Sequence, residues 1–197
     1  MKELKIMLRD KDIRTHLLEY LSNIRPANGK ICEEQTFHNG KVIADVAMIS
    51  QGGVHIYEIK GDLDKIERIK RQSEYYNKCA SKLSLVTTER HLKKALEILP
   101  QHWGIILVLK NEERIFFKYI RKSSTNYTFC KQTALMTLWK SELTEAFLKT
   151  TNMNPKSSAT REQLADEISK VLTKKGTVKL LGETLSRRAP EFTNHKF

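Results

Sequence analysis

A chain of 197 residues, 40% hydrophobic and 29% charged, has the length of one domain and can bury a core without disulfides or a structural metal. No apolar run approaches the roughly 18 residues of a membrane helix. Met1 to Ile6 lacks the apolar core of a secretory signal, and Cys32, Cys79 and Cys130 are spaced for neither a disulfide framework nor zinc, so a reduced, cytoplasmic protein is expected. The net charge of +12 favours a polyanionic partner through counterion release, nucleic acid first, and leaves catalysis open.

In chain order, Asp10 or Asp12 can cap a first helix that runs to Ile24, with Ile13, Leu17, Leu21 and Ile24 on one stripe. Arg25-Pro26-Ala27-Asn28-Gly29 ends it. Three strand-like runs follow, Ile31 to Phe37, Val42 to Ile49 and Val54 to Lys60, separated by the turns His38-Asn39-Gly40 and Gln51-Gly52-Gly53. A helix from Asp64 to Cys79 would present Ile66, Ile69, Ser73 and Tyr76 on one face, with Asp62 or Asp64 as its cap. Then come a strand, Lys82 to Thr87, and a helix, Glu89 to Leu99, stopped by Pro100. The apolar run Trp103 to Leu109 suits a strand covered on both faces. The first 110 residues therefore read α-β-β-β-α-β-α-β, a mixed sheet flanked by helices.

Further on, Arg114 to Ile120 and Tyr127 to Cys130 can form another hairpin, and Gln132 to Lys149 a helix. Asn152 to Ser158 reads as a linker. Thr160-Arg161-Glu162-Gln163 has the spacing of a capping box and opens a helix to Thr173, followed by a helix over Val178 to Arg188 and a basic tail. The expected organisation is a core over 1–150 and a small basic helical extension over 157–197.

Strand parity points to a site. Side chains alternate faces, so Ile43, Asp45, Ala47 and Ile49 should share one face, and Val54, Ile56, Glu58 and Lys60 one face of the next strand. A Gln51-Gly52 turn sets Asp45 opposite Glu58, and a Gly52-Gly53 turn sets it opposite Lys60. Either way the three ionisable groups converge. Two carboxylates so close repel unless a cation lies between them, and hard oxygen ligands suit Mg²⁺ or Mn²⁺. Lys60 can then orient a water or offset charge on a phosphate.

Asp45 followed across a hairpin by Glu58-Ile59-Lys60, then a helix and a strand, resembles the PD-(D/E)XK nuclease superfamily, whose fold is restriction-endonuclease-like. Gln72-Ser73-Glu74-Tyr75-Tyr76 matches the QxxxY pattern of its RecB-like branch, and the combination is similar to small stand-alone bacterial nucleases. The resemblance covers residues 30 to 110. It implies a Mg²⁺- or Mn²⁺-dependent nuclease acting on DNA, with Asp45, Glu58 and the Ile59 carbonyl as metal ligands and Lys60 as the catalytic lysine. Gln72 and Tyr76 would support the site or contact DNA. A further acidic ligand is sought among Glu19, Glu33 and Glu34, with Glu34 preferred because its strand lies beside Asp45. Ala44 stands where many members carry proline.

For nucleic-acid contact the candidates are Arg68, Lys70 and Arg71 on the QxxxY helix, and Lys118 and Arg121 among Phe116, Phe117, Tyr119, Tyr127 and Phe129. His91 and His102 match no metal spacing and are expected at the surface or at caps. No nucleophile constellation and no phosphate-cradling Gly-rich loop is present. A non-cleaving nucleic-acid-binding module on the same fold is the alternative. A regulator with a DNA-reading helix pair over Thr160 to Arg188 is a third reading.

Overall fold

The computed structural model describes residues 7–111 and 114–189. Six strands form one sheet in chain order: β1 (Lys30–Phe37), β2 (Val42–Ser50), β3 (Gly53–Lys60), β4 (Lys82–Thr87), β5 (Gly104–Lys110) and β6 (Ile115–Arg121). β1, β2 and β3 form an antiparallel meander, β3, β4 and β5 run parallel, and β6 returns antiparallel on β5. Two helices make the parallel crossovers, α2 (Arg68–Cys79) between β3 and β4, and α3 (Glu89–Ile98) between β4 and β5. The α-β-β-β-α-β-α-β order expected from periodicity is present, as a mixed α/β fold with helices on both faces.

One face is covered by α1 (Asp10–Ile24), which buries Ile13, Leu17, Leu18 and Leu21 against Ile31, Val46, Tyr57, Ile59, Val86 and Ile106. Ile24 leaves the expected stripe and is exposed. Asp12 closes the start of α1 by accepting from the Arg9 N–H. The opposite face buries Ala47, Ile49, Val54, Ile56, Leu83, Leu85 and Ile105 under α2, α3 and four later helices. These are α4 (Lys131–Leu135), α5 (Lys140–Thr151), α6 (Arg161–Val171) and α7 (Lys174–Arg188).

The later helices extend the sheet's own core. Leu143, Leu164, Ile168, Leu181 and Leu185 join the same cluster as Ile56 and Tyr76. The capping box of α6 forms as expected, with the Thr160 N–H donating to Gln163 Oε1 and the Gln163 N–H to Thr160 Oγ1. α7 crosses directly over the β2–β3 turn, where Gly182 faces the Ser50 carbonyl. The expected helix from Gln132 to Lys149 is instead broken between α4 and α5. There the Arg161 guanidinium takes the Met136 and Leu138 carbonyls, and Glu142 accepts from the Trp139 N–H to open α5. The expected strand at Tyr127–Cys130 is absent. Asn126 pins this segment to the end of α2 by donating to the Asn77 and Ala80 carbonyls. Among the described residues no helix is long and apolar enough to cross a membrane, and the basic tail lies outside them.

Candidate active site

The sheet changes from antiparallel to parallel pairing at β3, and the site sits at the end of that strand. The β2–β3 turn is Gln51-Gly52, since Ser50 pairs with Gly53, and the same register carries Asp45 to the level of Glu58. The ladder itself stops one step earlier, at Val46 and Tyr57. Beyond that step a side chain replaces the backbone acceptor: Asp45 Oδ2 accepts from the Ile59 N–H at 2.7 Å.

Strict alternation on β2 is not observed. Ala47 and Ile49 share a core with Val42 and Ala44, residues of opposite parity, so the strand changes face at Asp45. On the neighbouring strand Glu34 lies at that level with φ +50°, and the β1–β2 ladder skips the pair. Ile43, expected beside Ala47 and Ile49, is therefore 52% exposed. Glu34 itself is exposed. Among the described residues no group of three or more His, Cys, Asp or Glu gathers as a metal cage. Glu19 is also exposed.

Glu58 is 1% exposed and fully engaged. Its Oε1 accepts from Lys60 Nζ at 2.6 Å and from Gln72 Nε2 at 2.5 Å. The Tyr76 hydroxyl lies 2.7 Å from Glu58 Oε2 and 2.7 Å from the Ile43 carbonyl, either of which can take its single proton. Lys60 Nζ also donates to the Ile59 carbonyl at 3.2 Å. The QxxxY pair is thus aimed at the hairpin, as i and i+4 on one helix face require. Among the described residues Gln72 Oε1 is buried without a partner, an oxygen free to accept from a water or face a cation.

Asp45 has a second partner that sequence did not reveal. Arg14 on α1 donates from Nη1 to the Asp45 carbonyl at 2.9 Å and approaches Asp45 Oδ1 through Nη2 at 3.3 Å. Burial, then the Glu58 carboxylate, push Asp45 up to about 7, against the opposing pull of the Ile59 N–H, Lys60 and Arg14. Burial likewise holds the Tyr76 phenol above its usual range, with Glu58 adding to it.

The Asp45 shift has a consequence for stability. An unfolded aspartate loses its proton near 3.8, whereas the folded one keeps it to about 7. In that window the folded state holds more protons, so stability falls as pH rises through it. Thermal melts in EDTA should therefore show Tm decreasing from pH 5 to pH 7.5, with a shallower decrease in Asp45→Asn. Parallel slopes for the two proteins would remove Asp45 as the cause.

The segment after β3 is fixed by side chains expected elsewhere. Asp64 accepts from the Gly61 N–H, and Asp62 from the Leu8 N–H and the Thr88 hydroxyl. Neither caps α2, which begins only at Arg68 with no side-chain cap. Thr87 and His91 hydrogen-bond to the Lys60 and Gly61 carbonyls respectively. His91 and His102 are buried, not at the surface, and His102 pairs with Asn77.

Of the nucleic-acid candidates, Arg68 and Arg71 are exposed on α2, with Arg68 one turn before Gln72. Lys118 is exposed on β6 in the cross-strand row Lys60–Thr87–Leu107–Lys118, three strand spacings or roughly 14 Å from Lys60. Arg121 is committed to the fold, donating to the Trp103 and Pro100 carbonyls and to Gln101.

The profile of a protein family described as bacteriophage P4 protein cII matches residues 5–196. This chain belongs to that family. Protein cII of Enterobacteria phage P4 is 25% identical over 138 residues, which cover 70% of this chain and 52% of that protein. The cII-family chain thus spans about half the length of the curated relative it matches. No solved structure matches it.

Proposed function

We propose that this protein is a divalent-metal-dependent nuclease of the PD-(D/E)XK kind, hydrolysing phosphodiester bonds of DNA. The observation that carries the reading is the convergence on Glu58 of Lys60, Gln72 and Tyr76, with Asp45 bound to the adjoining Ile59 N–H. A solvated Glu-Ile-Lys face would not bury its carboxylate to 1% and surround it with three donors.

The donor set fits a hard cation. Asp45, Glu58 and the Ile59 carbonyl offer oxygen ligands, and the unpartnered Gln72 Oε1 adds a buried oxygen. Mg²⁺ characteristically keeps several waters, so two carboxylates suffice. Such an ion supplies Lewis acidity toward a phosphoryl oxygen and lowers the pKa of a water. The chain's own part is positional and electrostatic. Gln72 and Tyr76 fix the orientation of Glu58, as the partners of a ligating carboxylate must. The Ile59 N–H fixes Asp45. Lys60 places an ammonium where negative charge on a phosphate can be offset. Arg68 and Arg71 flank the site as phosphate contacts, in keeping with the net charge of +12. Three free cysteines suit a cytoplasmic setting.

A second reading, a non-cleaving nucleic-acid-binding module, draws on the saturation of both Glu58 oxygens by protein donors. One assay separates the two. Purified protein with Mg²⁺ or Mn²⁺ is offered linear, circular and single-stranded DNA beside Asp45→Ala. Metal-dependent loss of DNA with wild type, and none with Asp45→Ala, is expected. Tight DNA binding without cleavage under any metal would leave the binding module.

A further inference from the structure

Both carboxylates of the site already face a protein cation. Glu58 meets Lys60, and Asp45 meets Arg14. The second contact comes from the other side of the sheet, where α1 lies, and from a residue that the QxxxY and PD-(D/E)XK patterns do not contain. We propose that Arg14 is a positioning residue that serves as an internal counter-cation for Asp45, holding the metal-free site and contesting the carboxylate with an incoming divalent ion. The inference rests on the nuclease reading above and adds how that site is loaded.

Three observations carry it. Asp45 Oδ2 is fixed by the Ile59 N–H, so Oδ1, which Arg14 Nη2 approaches at 3.3 Å, is the oxygen left for a cation. A guanidinium and a metal ion at one carboxylate oxygen repel each other, so one must withdraw. Withdrawal leaves Arg14 well satisfied. Asp10 Oδ1 accepts from its Nε at 2.9 Å and Asp10 Oδ2 from its Nη2 at 3.1 Å, while Glu33 Oε2 lies 3.8 Å from Nη1. Nη1 also keeps the Asp45 main-chain carbonyl at 2.9 Å, so the strand stays attached to α1 when Oδ1 is released. Only a planar fork reaches an acid, a carbonyl and a second acid at once, which a lysine does not. Asp10 and Asp45 thus compete for one guanidinium, and that competition sets the affinity for metal.

The prediction runs in opposite directions for two variants. Calorimetric titration of Mn²⁺ should show Arg14→Gln binding about tenfold more tightly than wild type, from loss of a close like charge. Asp10→Asn should bind several-fold more weakly, because Arg14 then has Asp45 as its main acid. Arg14→Lys keeps the charge but loses the fork that reaches Asp45, so it should bind more tightly than wild type and less tightly than Arg14→Gln. A merely structural Arg14 would give weaker binding in both Arg14→Gln and Asp10→Asn. Thermal melts check folding; if Arg14→Gln does not fold, Arg14→Lys decides, binding Mn²⁺ more tightly than wild type on the proposal and more weakly if Arg14 is merely structural. Wild type that binds Mn²⁺ and cuts DNA, with Arg14→Gln no tighter or Asp10→Asn no weaker, overturns the inference and leaves the nuclease reading standing. Absence of Mn²⁺ binding in wild type and in every variant overturns both.

Discussion

Lys60→Ala is expected to lower the rate of metal-dependent DNA cleavage by roughly 10²- to 10⁴-fold, the range typical of a positioned acid, base or charge-stabilising group. Lys60 brings its Nζ to 2.6 Å from Glu58 Oε1 and 3.2 Å from the Ile59 carbonyl, within a side chain that is 9% exposed. Among the described residues no other lysine or arginine donates to Glu58. Truncation therefore removes the one cation at that carboxylate but leaves the Gln72 and Tyr76 donors in place. Metal binding should survive or strengthen, since the cation removed is a competitor for Glu58. The loss should fall on turnover at saturating Mn²⁺ and not on the metal concentration giving half the maximal rate.

Removing one partner of a buried ion pair can destabilise by about 3–5 kcal/mol, and here the remaining donors should keep the loss at the lower end or below it. Single-turnover cleavage at 25 °C, with circular dichroism recorded on the same samples, separates turnover from folding. A folded Lys60→Ala protein that cuts at the wild-type rate would dismiss the assigned role. So would a defect repaired merely by raising the metal concentration.

How much of this arrangement is legible in the sequence depends on whether a residue's role is set locally. Glu58 and Lys60 are two apart on a strand, and Gln72 and Tyr76 four apart on a helix, so period alone fixes their common faces. The Thr160 capping box is local too, and it forms as its spacing implies. Most of the departures involve partners distant in sequence. Asp62 and Asp64 carry the composition of a helix cap, but the Leu8 N–H, Thr88 and the Gly61 N–H claim them first.

The break between α4 and α5 depends on Arg161, more than 20 residues further along, taking two carbonyls that a continuous helix would use. The change of face at Asp45 requires the left-handed Glu34 on the next strand, and nothing in either strand's pattern signals it. Arg14 is the sharpest case. Its spacing from Asp10 announces an i,i+4 ion pair of ordinary surface value, and only the packing of α1 on the sheet carries it to Asp45. A carboxylate pair can be read from a strand pattern. The cations that set its charge come from other layers.

The same dependence on distant packing makes α7 the part of the extension least tolerant of change. Gly182→Ala is expected to destabilise the protein by about 3 kcal/mol or more, the upper end of overpacking costs. A Cβ added there would lie 1.9 Å from the Ser50 carbonyl oxygen, 2.9 Å from its carbon and 3.3 Å from the Gly53 nitrogen. These are backbone atoms of the β2–β3 turn, and no rotamer change relieves them. Either α7 lifts, uncovering Leu181 and Leu185, which are 2% and 1% exposed, or the turn moves and carries β2 and β3 with it. The first costs apolar burial at roughly 25 cal/mol per Å². The second displaces Asp45 and Glu58, further along those two strands.

Gly176→Ala, on the same helix, meets nothing closer than 3.4 Å, so it should be neutral or stabilising by about 0.5–1 kcal/mol through helix propensity. Urea unfolding of the two variants beside wild type tests the contrast. Equal midpoints for Gly182→Ala and Gly176→Ala would mean that α7 does not bear on the hairpin. The predicted split would mean that residues beyond 157 are part of the layer that holds the hairpin, and that cutting the chain after Pro155 unfolds the core instead of freeing a separate DNA reader.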